Sequence, residues 1–357
     1  MRRIPVALGE LRSLLKAFDR ESLSLDIEEE ALSRLAIVGP VNSGKSTLVN
    51  LLLGKRASPV TAVPGTTREV ITQRLGPFTI MDTPGFGEVG GVERGNIALE
   101  AMREADLAVL LFDGAAGLRK EDYDLYQRLR AQRLPIVVGL NKIDLIAKDL
   151  ELVLIDTQNK LGVSVVPISA KRGTNVASVL LPRIIEMRPA LAVALGKELP
   201  FYRRKMARSV IRNASMLNFL IGMEPIPFLD IPLLLASQVR LTLRIATIYG
   251  ESMGLGRARE LITTIGGGVL LRYATQQALK FLPGPGWIIS GSIAAAGTWA
   301  MGQVAVAYFE SRKRLSAAQM RELYGRLRRR RTSTSLRPGL LRMIHGRLRR
   351  PRRQSAD

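Results

Sequence analysis

The chain of 357 residues contains no cysteine and a single histidine, His345. The absence of cysteine excludes disulfide bonds, iron–sulfur clusters and zinc sites built from thiolates. One histidine cannot form a multi-histidine metal site or a histidine relay. The first residues lack a long apolar core followed by a small-residue cleavage site, so we expect no secretory signal there. Any chemistry must come from hydroxyl, amide, carboxylate and basic groups.

Acidic residues are scarce relative to basic ones, 31 against 53, which gives a net charge of +22. Residues 311–357 hold 16 Lys and Arg against two acidic residues, so this segment carries 14 of the 22 net positive charges. Such an excess favours a polyanionic partner, either a nucleic acid or an anionic membrane surface. A solvated arginine-rich tail without a partner is the simpler alternative.

Five short apolar runs alternate with amphipathic segments between residues 34 and 190. The runs are continuously hydrophobic, as in strands buried on both faces, and the segments between them fit helices. This alternation predicts an α/β domain with a mostly parallel sheet and helices on both faces. The runs are LAIVG (35–39), FTIMD (78–82), LAVLLFD (107–113), PIVVGLN (135–141) and VVPIS (165–169).

The composition changes in the second half of the chain. Residues 200–310 are rich in Leu, Ile, Ala and Gly, which predicts an all-α, Gly/Ala-rich domain. The length also favours more than one domain. The expected organisation is a helical lead-in (1–33), an α/β domain (34–190), a helical domain (196–310) and a basic tail (311–357).

The segment GPVNSGKST, residues 39–47, lies between the strand-like LAIV and the helix-like LVNLLLG. It fits the pattern G-x-x-x-x-G-K-[ST], in which glycines let backbone amides approach phosphate oxygens and a helix N-terminus adds a partial positive charge. Lys45 can reach the β- and γ-phosphates, and the Ser46 hydroxyl can ligate Mg²⁺. The nucleotide-binding residues that this loop predicts are Gly39, Asn42, Ser43, Gly44, Lys45, Ser46 and Thr47.

Three further segments each follow a predicted strand, at the edge where open α/β sheets bind ligands. In DTPG (82–85), Asp82 can hold the Mg²⁺ shell and the Gly85 amide can sense the γ-phosphate. In NKID (141–144), the Asp144 carboxylate can accept hydrogen bonds from guanine N1–H and its amino group, donors that adenine lacks. SAK (169–171) can contact the guanine oxygen. The predicted residues are Asp82, Gly85, Asn141, Lys142, Asp144, Ser169, Ala170 and Lys171, with Asn141 and Lys142 bracing the loop and covering the base.

Residues 34–190 resemble, through these motifs, the Era/TrmE/EngA class of small GTPase domains. The resemblance identifies PGTTRE (64–69) as the first switch. It implies that Thr67 contacts Mg²⁺ in the GTP state, with Thr66 as the neighbouring alternative. It also implies that Asn42 helps to hold K⁺, as in the potassium-dependent members of the class.

Phe86 occupies the position after the DxxG glycine, where Ras-like proteins have a glutamine that orients water. Because a phenyl ring cannot orient water by hydrogen bonding, we expect slow hydrolysis of GTP to GDP and phosphate. Acceleration would come from K⁺, from dimerisation of the domain or from a partner. The residues expected to act in catalysis are Lys45, Thr67 and Gly85.

Residues 201–310 resemble the YcjF-like helical domain of unknown function found behind Era-like GTPase domains. The stretch 287–309 has no charged residue and is long enough to span a membrane. Three interpretations are open: a buried helical hairpin, a peripheral or re-entrant membrane contact, and a true span. Small residues recur every four positions and permit close helix contact; they are Ser290, Ala294, Thr298 and Gly302.

Two segments of the basic tail, 317–331 and 340–350, have the pattern of amphipathic helices with arginines on the polar face. Such helices suit anionic membrane surfaces, and the same arginines can bind RNA phosphates. Aromatic residues that stack on bases are almost absent from the tail, where Tyr324 stands alone, and this favours lipid.

Together these features predict a GTP-binding switch protein that binds Mg²⁺·GTP and acts in the cytoplasm at or near the cytoplasmic face of a membrane. The alternative is an RNA-binding GTPase in ribosome assembly or tRNA modification. A third possibility is a nucleotide-bound scaffold without useful turnover.

Overall fold

The structure, a computed structural model, describes residues 20–54, 72–82, 104–224, 230–252, 254–266 and 285–336. The chain divides into two compact units. The first, the sheet unit, comprises residues 25–209 and 247–251. The second, the helical unit, takes most of the remainder, including 210–246 and the residues from 252 onward. The expected domain boundaries at 34, 190, 196 and 310 stay predictions.

Within the described residues, the sheet unit contains one six-stranded sheet in the order β2-β3-β1-β4-β5-β6. Strand β2 runs antiparallel to β3, and the other pairs are parallel. The carboxyl ends of the five parallel strands therefore meet at one edge, and the predicted mostly parallel sheet is confirmed. The strands are β1 Leu35–Gly39, β2 Thr72–Leu75, β3 Phe78–Asp82, β4 Leu107–Asp113, β5 Ile136–Asn141 and β6 Val165–Pro167.

The central strands are buried along almost their whole length, which explains why their sequences are continuously apolar rather than alternating. The described helices that lie wholly or mostly in this unit are α1 Arg20–Ala31, α2 Lys45–Leu53, α3 Lys120–Ala131, α4 Leu150–Leu161, α5 Leu181–Met187 and α6 Leu191–Glu198. Short 3₁₀ turns cover Ile143–Leu145 and Pro200–Tyr202, and a π-helical turn covers Val176–Leu180.

The second half of the chain is largely helical, as predicted. Its described helices are α7 Arg203–Gly222, α8 Asp230–Ile248, α9 Leu255–Gly266, α10 Pro285–Glu310 and α11 Ala317–Leu336. The boundary between the two units falls inside α7, after Ser209.

Small residues allow α7 and α10 to pack closely within the helical unit. A Cβ atom on Gly291 would lie 2.5 Å from the carbonyl oxygen of Phe219, and one on Gly302 would lie 2.5 Å from the side chain of Ile211. The four-residue spacing of small side chains on α10 therefore serves close contact between two helices of the same unit.

By length and composition, α8 is the one helix among the described residues that could cross a membrane, and 67% of that stretch is buried within the protein. A core helix of a soluble protein has the same properties. The stretch 287–309 lies in α10, where, among the positions whose side chains are described, only Ile288 and Glu310 are exposed. A membrane span over 287–309 stays one of the open predictions.

Candidate nucleotide-binding site

The loop between β1 and α2 can be built only with glycine at two positions. A Cβ on Gly39 would lie 2.3 Å from the carbonyl oxygen of Leu111. Gly44 is the N-cap residue of α2 and has φ +95°, and a Cβ there would lie 2.1 Å from the side-chain nitrogen of Asn141. Glycine removes both collisions and leaves the backbone amides accessible to a ligand.

Lys45 is the first residue of α2 and is only 3% exposed. Its Nζ donates hydrogen bonds to the carbonyl oxygens of Gly39 (2.9 Å) and Pro40 (2.7 Å), and it lies 3.5 Å from Ser43 Oγ. The ammonium group is thus held against the loop, at the end of a helix where phosphate oxygens bind favourably.

Three polar side chains are exposed beside Lys45: Asn42, which has φ +65°, and Ser46 and Thr47 in the first turn of α2. The β1–β3 register pairs Gly39 with Asp82, so Asp82 belongs to the same edge of the sheet. No group of three or more His, Asp or Glu residues that could hold a metal ion occurs in the described ranges. This edge suits Mg²⁺ held by hydroxyl, one carboxylate, phosphate and water oxygens.

Asn141 ends β5 and joins two loops of the site. Its Nδ2 donates to the carbonyl oxygen of Ser43 at 2.8 Å, and its Oδ1 accepts from the Ala170 amide at 2.9 Å. The residue is 2% exposed. Because both polar atoms are bonded, Asn141 links the phosphate loop to the SAK segment.

Asp144 presents a charged carboxylate at the same edge. Ser169 Oγ donates to its Oδ1 at 2.6 Å, and Arg172 Nε lies 3.8 Å from its Oδ2. The hydrogen bond from Ser169 is the main reason that the pKa of Asp144 lies below its ordinary value, although burial opposes it. The carboxylate is therefore ionised at neutral pH, as an acceptor for two guanine donors must be.

Lys142 forms an ion pair that the sequence motifs did not reveal. It has φ +64°, and its Nζ lies 2.6 Å from Oδ2 of Asp113, the last residue of β4. The sequence could have indicated Asp113 as a site residue, because it ends an apolar run at the edge of the sheet where the ligand is predicted to bind. Arg172, beside Asp144, follows SAK without any pattern of its own, and Lys171 is exposed.

Thr67 and Gly85, with Thr66 and Phe86, lie outside the described residues, and only the backbone of Asp82 is described. Their roles stay predictions. The described site residues that meet at the carboxyl edge are Gly39, Asn42, Ser43, Gly44, Lys45, Ser46, Thr47, Asn141, Lys142, Asp144, Ser169, Ala170 and Lys171.

Comparison with known families finds a match in each half of the chain. Residues 34–142 match the family described as 50S ribosome-binding GTPase. Residues 190–333 match a domain of unknown function, DUF697. The chain joins an Era/Der-like GTPase domain to a DUF697 helical domain. The predicted resemblance to Era-like and EngA-like domains followed by a helical domain of unknown function is confirmed.

The GTPase domain is similar to curated bacterial proteins. GTPase Der of Desulforudis audaxviator is 34% identical over 207 residues, which cover 56% of this chain and 46% of that protein. GTPase Era of Aquifex aeolicus is 34% identical over 202 residues, which cover 51% of this chain and 66% of that protein. A solved structure of a probable GTP-binding protein EngB is 29% identical, has a TM-score of 0.36, and is covered completely by 44% of this chain. The chain therefore spans less than half of the Der protein and about two thirds of the Era protein.

Proposed function

We propose that this protein binds Mg²⁺·GTP and hydrolyses it slowly to GDP and phosphate, acting as a nucleotide switch. The observation that carries the proposal is the arrangement at the carboxyl edge of the sheet, where Asn141 links the phosphate loop to the segment that holds Asp144. The ionised carboxylate selects guanine because adenine lacks the N1–H and amino donors that guanine offers to it. Relatives named GTPase Der and GTPase Era over the same residues support it.

Different residues of the site bind the phosphates and the metal ion. The loop amides, the N-terminus of α2 and Lys45 bind the phosphates. Ser46 and Asp82 are the residues that would hold Mg²⁺, which neutralises phosphate charge when bound. The slow rate follows from Phe86, which replaces a water-orienting side chain.

Phosphate release by the purified full chain tests this function. We expect a low rate that requires Mg²⁺ and GTP and is lost in Lys45→Ala. Turnover that persists in Lys45→Ala would belong to a contaminant.

Replacing Na⁺ by K⁺ should raise the rate of the wild type but not of Asn42→Ala, and potassium independence would remove the role proposed for Asn42. A rate per molecule that rises with protein concentration would support activation by dimerisation, while nucleotide binding with no turnover would support the scaffold.

We further propose that residues 191–205 carry the nucleotide state toward the helical unit. Helix α2 begins at Lys45 and ends next to Gly54, where a Cβ would lie 2.5 Å from the ring of Phe201. Lys205 Nζ donates to the carbonyl oxygen of Ala177, in the π-helical turn that follows SAK, and burial lowers the pKa of Lys205. Two nucleotide-binding segments of the sheet unit thus lead to the start of α7.

Hydrogen exchange of the α7 amides tests this coupling. In the wild type, exchange in residues 203–222 should differ between GDP and a non-hydrolysable GTP analogue. In Phe201→Ala and Lys205→Met the difference should shrink while GDP affinity stays within about twofold, since neither residue contacts the site. Leu152→Ala, which truncates a 71% exposed side chain on α4, is the control. An undiminished difference in both variants would contradict the coupling.

An anionic membrane surface at the cytoplasmic face is the partner that we propose for the helical unit. In α11, Met320 and Tyr324 are buried within the unit, so the apolar face of this helix is occupied by protein. The helix can therefore act on a membrane through charge, at about 1 kcal/mol for each basic residue near the surface, rather than by insertion. The exposed basic residues are Arg321, Arg326, Arg329 and Arg330.

RNA is the alternative partner, because the matching family is described as ribosome-binding. The exposed arginines of α11 suit RNA phosphates equally well, with steep salt dependence. Flotation with anionic vesicles, compared with RNA retention at the same salt concentration, separates the two. Flotation that depends on anionic lipid supports the membrane, and binding that follows RNA alone contradicts it.

A further inference from the structure

Asp113 occupies a defined position between two strands of the site. It is the last residue of β4 and pairs in register with Asn141 of β5. Its Oδ1 accepts a hydrogen bond from the Ala115 amide at 3.0 Å, and its Oδ2 accepts one from Lys142 Nζ at 2.6 Å. One carboxylate oxygen therefore anchors the turn after β4, and the other holds the lysine.

The backbone beside this pair is equally constrained. Lys142 has φ +64°, an uncommon conformation for a residue with a side chain. The Gly114 amide donates to the carbonyl oxygen of Asn141 at 2.8 Å, and a Cβ on Gly114 would lie 2.9 Å from that oxygen. The end of β4 thus contacts the NKID segment through both its backbone and its side chain.

We propose that Asp113 is a positioning residue that increases the affinity for guanine nucleotides by holding Lys142 against the base. With the ammonium group bound at its tip, the methylene stem of Lys142 is held in one conformation, and less side-chain entropy is lost when a base packs on it. The pair itself is partly exposed, 31% for Lys142 and 20% for Asp113. Because partly exposed ion pairs stabilise a fold only slightly, nucleotide binding is the property that the pair affects most.

The assignment rests on the proposed GTP-binding function and is tested by calorimetric titration of the full chain with GDP and IDP in Mg²⁺. Asp113→Asn can keep the acceptor for the Ala115 amide, while an uncharged NH2 donor replaces the carboxylate oxygen that accepts from Lys142. We expect GDP and IDP to bind about tenfold more weakly, with their ratio unchanged. IDP lacks the amino group that Asp144 recognises, so a changed ratio would mean that Asp113 acts through Asp144 instead and would overturn the assignment.

A double-mutant cycle distinguishes positioning from a general structural effect. If Asp113 acts through Lys142, Asp113→Asn should cause no further loss in a Lys142→Ala background. Lys142→Met retains the stem and should also weaken GDP about tenfold. Asp156→Asn is the matched control, because it removes a 2.7 Å pair with Lys160 on α4, and its GDP affinity should stay within about twofold of the wild type.

Besides a changed ratio of GDP to IDP affinity, two results overturn the assignment while leaving GTP binding intact: wild-type affinity in Asp113→Asn, or losses that multiply in the double variant. Failure of the wild type to bind either nucleotide would instead overturn the proposed function, and the assignment with it.

Discussion

Two buried asparagines show how differently the two units use a polar side chain. Asn141, in the sheet unit, is 2% exposed, and both of its side-chain polar atoms are hydrogen-bonded to loops of the site. Asn218, in the helical unit, is fully buried and donates to Thr298 Oγ1 at 2.5 Å. Its Oδ1 has no hydrogen-bond partner among the described residues. The first asparagine belongs to a complete network, and the second to an incomplete one.

The two buried amides contribute differently to their units. A fully satisfied network fixes one geometry, which a binding site needs before its ligand arrives. In an incomplete network the unsatisfied oxygen destabilises the fold. Removing the amide that carries this oxygen should therefore change the free energy of unfolding only slightly. Glycines also differ between the two units. Gly44 leaves room for the Asn141 side chain beside the phosphate loop, whereas Gly291 leaves room for the backbone of a neighbouring helix.

Asn141→Ala should have the largest effect. It leaves the Ser43 carbonyl and the Ala170 amide without partners, each costing about 1–3 kcal/mol when buried, and it disconnects the two loops. We expect GDP affinity to fall about 100-fold or more, as measured by titration calorimetry. A loss below about threefold would show that the network is not required for binding.

Gly291→Ala should weaken the helical unit by about 1–3 kcal/mol, because the added methyl would collide with the Phe219 carbonyl. The free energy of unfolding is measured by denaturant titration of the full chain. GDP binding is measured in parallel. Gly256→Ala on α9 is the matched control, since its Cβ would meet no atom within 4 Å. That substitution should be neutral or stabilising by up to about 1 kcal/mol. Equal effects at the two glycines would contradict the close packing of α7 and α10.

Asn218→Leu should change the free energy of unfolding by less than about 1 kcal/mol, since it removes an unsatisfied oxygen and fills a similar volume. Thr298 Oγ1 still donates to the Ala294 carbonyl at 2.9 Å. A large destabilisation would show that Asn218, like Asn141, belongs to a complete network, and the contrast between the two units would fail.

Asp122→Asn should have the smallest effect, and its sign depends on pH. Burial raises the pKa of Asp122, against the opposing hydrogen bond from the Arg119 amide. Because the pKa of Asp122 is higher in the folded than in the unfolded chain, the burial penalty is largest when the pH is above both pKa values, and it disappears as the pH falls through them. The neutral variant should therefore have a slightly larger free energy of unfolding at pH 7, by less than about 1 kcal/mol, and this advantage should shrink as the pH is lowered. A stability advantage of Asp122→Asn that grows as the pH is lowered would contradict the raised pKa of Asp122.

The strands and the site loops could be predicted from sequence because each depends on local chemistry. A run such as LAVLLFD suits only a doubly buried strand, and the loop around Lys45 combines glycines with a helix start. The pairing of Asp113 with Lys142 could not be predicted, because it requires the register between β4 and β5.

The amphipathic pattern of α11 could also be predicted from the sequence. The surface that covers its apolar face could not. Tyr324 and Met320 would suit a lipid surface or a protein core equally well, and only packing within the helical unit decides between them. The repeat from Ser290 to Gly302 had the same ambiguity, because small residues allow close contact both in membranes and in soluble helical cores.

Competition binding of labelled GTP with unlabelled GTP and ATP in Mg²⁺, in the wild type and in Asp144→Asn, tests the central claim most directly. We predict that GTP displaces the label, that ATP at the same concentration does not, and that Asp144→Asn loses this discrimination along with most of its affinity for GTP. Displacement by ATP as effective as by GTP, or wild-type GTP binding in Asp144→Asn, would contradict it.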